Sequence, residues 1–299
     1  MLERQVGARK TSAIGFGTMS LSLDGRPAER DAIATIHTAL EAGGRLIDTA
    51  DAYSLGEDDF GYSERLVAKA LHAWSGDDSN VIVATKGGHI RLGQDWSLNG
   101  RPEYLHAACE ASLRRLGSDA LDLYQFHRPD PQVPFAESVG ALRDLRDEGK
   151  IRLVGVSNVS IEQIDIALAE LGELAAVQNE FSPRFTSSLA ELEYCNRKGI
   201  AFLAWSPLGG RAAAGSLPGA FSAVGVDHGV SAQQACLAWM LAKSPTLIPI
   251  SGAGRQQSVT DSAAAAKLDL DAAELGLLDA ACGIGESDLP AVDEEQAEN

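Results

Sequence analysis

Four residues in the first half of the chain have side chains that could act together on a carbonyl group. Asp48 and Tyr53 lie five residues apart in the stretch "LIDTADAY", and Lys86 and His127 each follow a later apolar run. A tyrosine with a pKa of about 10 is a poor acid or base at neutral pH, but a neighbouring ammonium favours the phenolate and lowers this pKa. Lys86 can supply the ammonium, and Asp48 can balance its charge.

The combination suits the reduction of a carbonyl. His127 can donate a hydrogen bond to an oxygen held beside Tyr53, while the phenol protonates that oxygen. Together these groups would stabilise the negative charge that develops on the oxygen when hydride adds to the carbon. Because no side chain donates hydride, the chemistry requires a bound cofactor. Each residue alone also has an ordinary structural explanation, so the hypothesis depends on all four meeting.

Parallel strands joined by helices would bring these residues together. Eight short apolar runs alternate with segments of helical periodicity, such as residues 28–44, 103–117 and 135–150. Since parallel strands need crossover connections, the pattern predicts a closed (β/α)8 barrel, an α/β fold of eight parallel strands. The predicted strands are residues 14–17, 46–48, 81–85, 121–126, 151–156, 176–178, 200–205 and 247–250.

The barrel accounts for nearly all of the chain as a single domain. Residues 1–12 are predicted to form a short cap under the barrel, and residues 286–299 an acidic, flexible tail. Ser160 with Gln163, and Ser231 with Gln234, form capping boxes that open two helices. A Rossmann fold is rejected because Gly15 and Gly17 lack the third glycine of a dinucleotide fingerprint.

Polar residues end each predicted strand. The carboxyl ends of the strands carry the chemistry of such barrels, so these residues should face one rim. Asp48, Lys86 and His127 then lie on three adjacent strands. The other strand-end residues are Thr18 and Met19, Ser157 and Asn158, Gln178 and Asn179, Trp205 and Ser206, and Ser251 and Gly252.

Composition and charge narrow the classes of partner. The chain of 299 residues is 45% hydrophobic and 22% charged, which is typical of a folded globular protein. Its net charge of -17 and the lack of a basic run argue against nucleic acid and anionic membranes as partners. No apolar leader or 18-residue apolar span is present, and the four cysteines form no C-x-x-C motif, so we expect a cytoplasmic protein. The oligomeric state stays open, and a monomer is compatible with the sequence.

The chain resembles the aldo-keto reductase family from about residue 14 to about residue 265. The matching segments include "GFGTM", "LIDTADAY", "SERLVAKAL", "VATKGG", "SLRRLGSDALDLYQFHRPD", "LRDEGKIRLVGVSN", "AVQNEFSP" and "GIAFLAWSPLGG". The resemblance implies NAD(P)H-dependent, reversible reduction of a small aldehyde or ketone to an alcohol, without a metal. It also implies that Tyr53 is the proton donor, that Lys86 and Asp48 activate it, and that His127 orients the substrate.

The resemblance also assigns cofactor contacts. Ser157, Asn158 and Gln178 would hold the nicotinamide carboxamide, and Trp205 would stack on its ring. The segment "SPLGG" and a glycine-rich loop running from Gly209 to Gly229 would embrace the pyrophosphate. The remaining assigned contacts are Gly17, Thr18, Met19, Asp48, Ser206, Pro207, Leu208, Gly210, Ser251, Gly252, Arg255, Asp261 and Ser262.

The eighth β/α unit departs from the family pattern. Members commonly have proline-glycine after the strand and glutamate-asparagine in the next helix, where this chain has Ser251-Gly252 and Asp261-Ser262. Arg255 matches the basic position that grips a 2'-phosphate, a role for which a planar guanidinium is suited. NADP(H) is therefore preferred as the cofactor, with NAD(H) as the alternative.

A second departure lies between Tyr53 and the helix that follows it. The inserted acids Glu57, Asp58 and Asp59 favour polar or cationic carbonyl substrates over carboxylates, because added anions repel acids. Phe60 and Trp96 are candidates for walls of the substrate pocket. Asp51 is interpreted as a turn residue rather than a second catalytic carboxylate.

Two other functions compete with the reductase. A nicotinamide-sensing regulatory subunit with little turnover would keep the same four residues. A barrel hydrolase or isomerase would need metal ligands, and the chain has no H-x-H or H-E-x-x-H motif. The histidines other than His127 lack a recognisable partner, and His37, His72 and His106 fall in predicted helices.

Overall fold

The computed structural model describes residues 2–210 and 216–285, and its central element is a closed barrel of eight parallel strands. The prediction of a (β/α)8 barrel is confirmed. The predicted tail, residues 286–299, lies outside the described residues. The strands are β1 (Glu3–Val6), β2 (Arg9–Ser12), β3 (Gly15–Gly17), β4 (Leu46–Asp48), β5 (Ile82–Gly87), β6 (His89–Leu92), β7 (Asp95–Leu98), β8 (Leu121–Phe126), β9 (Ile151–Ser157), β10 (Ala176–Glu180), β11 (Ala201–Trp205) and β12 (Leu247–Gly252).

The barrel runs in the order β3, β4, β5, β8, β9, β10, β11, β12 and closes between β12 and β3. All eight predicted strands are present within a few residues of their expected bounds. The helices are α1 (Glu29–Glu41), α2 (Tyr62–Ala73), α3 (Pro102–Leu116), α4 (Phe135–Asp147), α5 (Ile161–Leu171), α6 (Leu189–Lys198), α7 (Gly219–His228), α8 (Ala232–Lys243), α9 (Gln256–Ala264) and α10 (Ala272–Ala281).

Local sequence fixes several helix ends. Both predicted capping boxes are present: the Ser160 hydroxyl accepts from the backbone of Gln163 at the start of α5, and Ser231 does the same for Gln234 at the start of α8. Gly117 ends α3 in the left-handed conformation with φ 66°, which glycine adopts without the steric cost of a side chain.

One local prediction is wrong. The segment from Gly209 to Gly229 was expected to be a long loop, but α7 occupies Gly219–His228. Phe221 and Val224 on this helix are buried, and their packing outweighs the weak helix propensity of its glycines. Residues 211–215 of the segment lie outside the described residues.

The β1–β2 hairpin lies across the amino ends of the barrel strands. Arg9 donates to the carboxylate of Asp122 and to the carbonyl of Val81, and Arg4 reaches the carbonyl of Leu247. Val6 is fully buried and belongs to the apolar cluster inside the barrel. The hairpin therefore covers the end of the barrel opposite the strand-end polar residues.

The barrel interior changes from apolar to polar along each strand. Side chains two residues apart on a strand share a face, so the apolar residue and the polar residue after it point the same way. Leu46 is thus followed by Asp48, Ala84 by Lys86, and Ala176 by Gln178, with the apolar members inside the barrel. The barrel interior is therefore apolar toward the amino ends of the strands and polar at their carboxyl ends. None of the described helices is both long and apolar enough to cross a membrane.

Candidate active site

Lys86 and Asp48 form a buried ion pair at the carboxyl end of the barrel. The Lys86 side chain is fully buried, and its Nζ lies 2.6 Å from Oδ2 of Asp48 on the neighbouring strand. Nζ also donates to the carbonyl oxygen of Thr49 at 2.8 Å. Oδ1 of Asp48 accepts from Nε2 of Gln178 at 2.8 Å, so both carboxylate oxygens have partners. A buried charge pair is tolerated only when its remaining hydrogen-bonding groups are satisfied in this way.

Tyr53 and His127 complete the group of four. The turn after β4 brings the Tyr53 hydroxyl to 3.4 Å from Lys86 Nζ. The rings of Tyr53 and His127 are 5.7 Å apart and meet edge to face at 79°. Both side chains are nearly buried, with 8% of each residue exposed. All four predicted residues therefore meet at one place, as the hypothesis required.

The pKa of Tyr53 is shifted in the opposite direction from the one that the sequence predicted. Burial raises the pKa of Tyr53 above its ordinary value, and this effect exceeds the lowering by Lys86. Burial alone would lower the pKa of Lys86, but Asp48 and Tyr53 together raise it. Tyr53 is therefore protonated and Lys86 charged at neutral pH. This is the protonation state that a proton donor beside a fixed positive charge requires.

His127 is neutral in this setting. Burial lowers its pKa well below the ordinary value, and the nearby Lys86 and His89 lower it further. Nδ1 is buried without a partner, and the backbone carbonyl of His127 accepts from Nδ2 of Asn158 at 2.9 Å. A neutral imidazole carries one N–H donor, which is sufficient to hold an oxygen beside Tyr53.

The residues predicted to hold a carboxamide lie next to the ion pair. Ser157 donates to the backbone of Gln178 and accepts from Nδ2 of Asn158, which has a positive φ of 60°. The amide oxygens of Asn158 and Gln178 have no protein partner among the described residues. Asn158 is partly exposed and Gln178 is 1% exposed, so each keeps a hydrogen-bond acceptor that the protein does not use.

The end of β11 also keeps an unused group. Trp205 is partly exposed, and its Nε1 is buried without a partner. Ser206 follows with φ 51°, and its carbonyl accepts from the backbone of Gly209 at 2.8 Å in a tight turn. Pro207, within this turn, is buried, while Leu208 and Gly210 are partly exposed. The segment therefore lies at the rim, where the sequence predicted it.

The predicted cofactor contacts of the first and eighth β/α units differ in exposure. The Thr18 hydroxyl hydrogen-bonds to Ser63 and to the backbone of Asp48, so it already has partners within the protein. Met19 is exposed. A Cβ at Gly17 would lie 3.1 Å from Ile250. Arg255 is exposed at the start of α9, and Gly252 is also exposed.

The side chains of three predicted cofactor contacts form hydrogen bonds within the protein. Ser251 and Ser262 hydrogen-bond to each other and line a small cavity between the barrel and helices α1 and α9. The carboxylate of Asp261 accepts from the Ser231 hydroxyl at 2.7 Å. All three residues stand at positions where the sequence departs from the family pattern, and each hydrogen-bonds to another side chain of the protein.

Two of the three acids in the insertion after Tyr53 form contacts within the protein. Asp59 forms an ion pair with Arg26 at 2.5 Å, and Glu57 Oε2 accepts from the backbone of Gly93 at 3.4 Å. Phe60 lies 5.9 Å from the guanidinium carbon of Arg115, on the outer side of the barrel wall. Trp96, the other predicted pocket wall, lies on β7 and packs edge to face on His89, whose ring in turn contacts His127.

Sequence analysis missed His89. Its ring packs edge to face on His127, with centroids 4.3 Å apart. The only feature of the sequence that could have indicated a place in the site was its position three residues after Lys86, at the same rim of the barrel. Within residues 2–210 and 216–285, no group of three or more His, Cys, Asp or Glu side chains is arranged to hold a metal ion.

Comparison with known proteins gives consistent matches. The model of the aldo/keto reductase family matches residues 13–282. An uncharacterised oxidoreductase of Schizosaccharomyces pombe is 36% identical over 283 residues, covering 92% of this chain and 88% of that protein. A 6-dehydroglucose reductase of Novosphingobium aromaticivorans is 36% identical over 270 residues, covering 86% of this chain and 87% of that protein.

A solved structure supports the same relationship. The aldo/keto reductase from Klebsiella pneumoniae, crystallised in complex with NADP and acetate, superimposes with a TM-score of 0.77 at 27% identity. The match covers 96% of this chain and 98% of that one.

Asp51 is fully buried, and neither of its carboxylate oxygens has a hydrogen-bond partner among the described residues. Asp51 lies in the turn after β4, and its carboxyl is near the backbone N–H of Ala52, although no hydrogen bond of ordinary geometry joins them. Burial and the neighbouring Glu64 raise the pKa of Asp51 well above its ordinary value, against the lowering by Arg115, the Ala52 N–H and Lys86. The carboxyl therefore costs free energy whenever it is ionised in the folded state.

Replacement of this carboxyl by an amide should stabilise the protein increasingly as the pH rises. Since the pKa of Asp51 is higher in the folded than in the unfolded chain, its cost is absent below about pH 4 and grows above it. Relative to the wild type, Asp51→Asn should gain free energy of unfolding at up to about 1.4 kcal/mol per pH unit until the folded-state pKa is passed. Urea unfolding at several pH values measures this. The exposed Asp58→Asn is the control, and a difference independent of pH would contradict the assignment.

Proposed function

The chain belongs to the aldo/keto reductase family, and we propose that it is an enzyme that reduces an aldehyde or ketone to an alcohol in a reversible reaction. Tyr53 is the proton donor, and the hydride comes from NAD(P)H. The observation that carries this proposal is the position of Lys86 Nζ, 2.6 Å from Asp48 and 3.4 Å from the Tyr53 hydroxyl, in a site that also contains His127.

The residues at the rim fit a nicotinamide cofactor. The free amide oxygens of Asn158 and Gln178 can accept both hydrogens of a carboxamide. The Trp205 ring is partly exposed at the rim, so it can stack on a nicotinamide ring. When bound, the reduced cofactor supplies the hydride, which no side chain can provide.

The four central residues then handle the carbonyl oxygen. His127 donates its N–H to this oxygen, and the protonated Tyr53 faces it from the other side. As negative charge builds on the oxygen, Tyr53 passes its proton, and the ammonium of Lys86 stabilises the phenolate that forms. Asp48 keeps Lys86 charged and fixed in place. In alcohol oxidation the same proton returns from the alcohol to the phenolate of Tyr53.

The 2'-phosphate preference is proposed from Arg255 and the start of α9. The backbone N–H groups of the first turn of a helix attract anions, and an exposed guanidinium next to them adds a charge-assisted contact. We therefore favour NADP(H) over NAD(H). The NADP complex of the Klebsiella pneumoniae relative is consistent with this preference.

Removal of the Tyr53 hydroxyl tests the proton donor. Tyr53→Phe should lower kcat by about 10²-fold to 10⁴-fold, because a positioned acid contributes that much. Cofactor affinity, measured by fluorescence titration with NADPH, should change by less than about threefold, because the ring keeps its packing.

Tyr194→Phe, on the surface helix α6, is the matched control. Unchanged turnover in Tyr53→Phe would refute the assignment. Steady-state turnover by the wild type also separates an enzyme from a nicotinamide sensor, since a sensor would oxidise bound NADPH once and stop.

Removal of the Arg255 guanidinium tests the cofactor preference. Arg255→Ala should raise KM for NADPH about tenfold to 100-fold, since a hydrogen bond between charged groups contributes about 1.5–3 kcal/mol. KM for NADH should be nearly unchanged, because NADH lacks the phosphate. Arg30→Ala, an exposed arginine on α1, serves as the control. Equal effects on both cofactors would show that Arg255 does not bind the 2'-phosphate.

A further inference from the structure

His89 is a second imidazole in the site. Its ring lies between two others and meets both edge to face, with centroids 4.3 Å from His127 and 5.3 Å from Trp96. Trp96 is partly open to solvent, whereas His127 adjoins Tyr53. His89 therefore lies directly beside His127, the residue proposed to hold the carbonyl oxygen.

The hydrogen bonding of His89 fixes which nitrogen carries its proton. Nδ1 lies 3.2 Å from the backbone carbonyl of Ser97, and a carbonyl oxygen can only accept. Burial lowers the pKa of His89 to about 4, so the ring is neutral at physiological pH. Nδ1 then holds the only N–H, and Nε2 has a lone pair. Among the described residues Nε2 has no protein partner, and it is not buried.

The β6–β7 hairpin holds His89 firmly against the catalytic loop. Arg91 donates from Nη2 to the carbonyl of Leu55, two residues after Tyr53, at 3.0 Å. Its guanidinium carbon lies 4.2 Å from the centre of the Trp96 ring. The backbone N–H of Glu57 donates to the carbonyl of Gly93 in the turn of the hairpin at 2.9 Å. The acceptor nitrogen is thus presented in a fixed position relative to Tyr53.

We propose that Nε2 of His89 accepts a hydrogen bond from a hydroxyl on the carbon next to the substrate carbonyl. This inference rests on the proposed function and narrows its substrate class to hydroxy-aldehydes and hydroxy-ketones. With the carbonyl oxygen held by Tyr53 and His127, the substituent on the adjacent carbon faces the neighbouring imidazole. The lone pair of His89 Nε2 can accept a hydrogen bond from a hydroxyl group but not from an alkyl group, so it favours the hydroxylated substrate.

The charges around His89 favour a neutral donor over an ammonium. Arg128, Lys86 and Arg91 are the cations whose fields act on this ring, and each would repel a cationic substituent. Two of the three acids in the insertion after Tyr53 are already engaged by Arg26 and by the backbone of Gly93. The charges around His89 therefore favour a neutral polar substituent over a cationic one at this position.

The test compares two ketones of equal size, hydroxyacetone and butan-2-one, in NADPH-dependent reduction. The wild type should favour hydroxyacetone in kcat/KM by about tenfold, the worth of one hydrogen bond. His89→Phe keeps an aromatic ring but has no acceptor, so the ratio of the two kcat/KM values should fall by about tenfold relative to the wild type, whatever the change in kcat/KM for either ketone alone. His89→Gln restores an acceptor oxygen and should recover part of the preference. His72→Gln, exposed on α2, should keep the full ratio.

Each ratio is measured within one protein sample, so partial misfolding of a variant cancels. An undiminished preference in both His89 variants would overturn the proposal, as would a wild type that reduces the two ketones equally. Those results leave carbonyl reduction intact. A wild type that turns over no carbonyl compound would instead refute the proposed function itself.

Discussion

The site depends on a lysine ammonium that is fully buried at the carboxyl end of the barrel. Lys86 is fully buried, and Asp48 at 2.6 Å is its only anionic partner within hydrogen-bonding distance among the described residues. Desolvation of such a pair costs several kcal/mol per ion, and the mutual attraction offsets this only with good geometry and further hydrogen bonds. Thr49, Tyr53 and Gln178 supply those bonds. The pair therefore fixes the positions of its neighbours as much as they stabilise it.

The barrel provides this arrangement because parallel strands place successive side chains in layers. The apolar layer beneath, with Leu46 and Ala84, excludes water from below, and the ion pair lies one step higher on the same strands. Outside the wall, Glu64 joins Thr85 of β5 to Arg115 of α3. These contacts tie α2, the helix that follows the Tyr53 loop, to β5 and α3. The backbone N–H of Ser63 at the start of α2 donates to the carbonyl of Tyr53, which connects the loop to this helix.

Much of the fold and the four central residues could be predicted from the sequence, because the signals that indicate them lie within short segments. Strand alternation, capping residues and strand-end polar residues such as Asp48 and Lys86 are properties of short segments. The failures concern long-range burial. The net pKa of Tyr53, the unpartnered carboxyl of Asp51, and the packing of His89 against His127 depend on which side chains surround them in space. No short window of sequence contains that information, and α7 likewise owes its helix to tertiary packing.

A double-mutant cycle on the buried pair tests the central claim most directly. The four proteins are the wild type, Asp48→Asn, Lys86→Met and the double mutant, and kcat/KM for carbonyl reduction is measured for each. If the pair acts as one unit, either single change should cost nearly as much as both together, with a coupling free energy of about 1–3 kcal/mol. Losses that simply add in the double mutant would show that Asp48 and Lys86 act independently and would contradict this account.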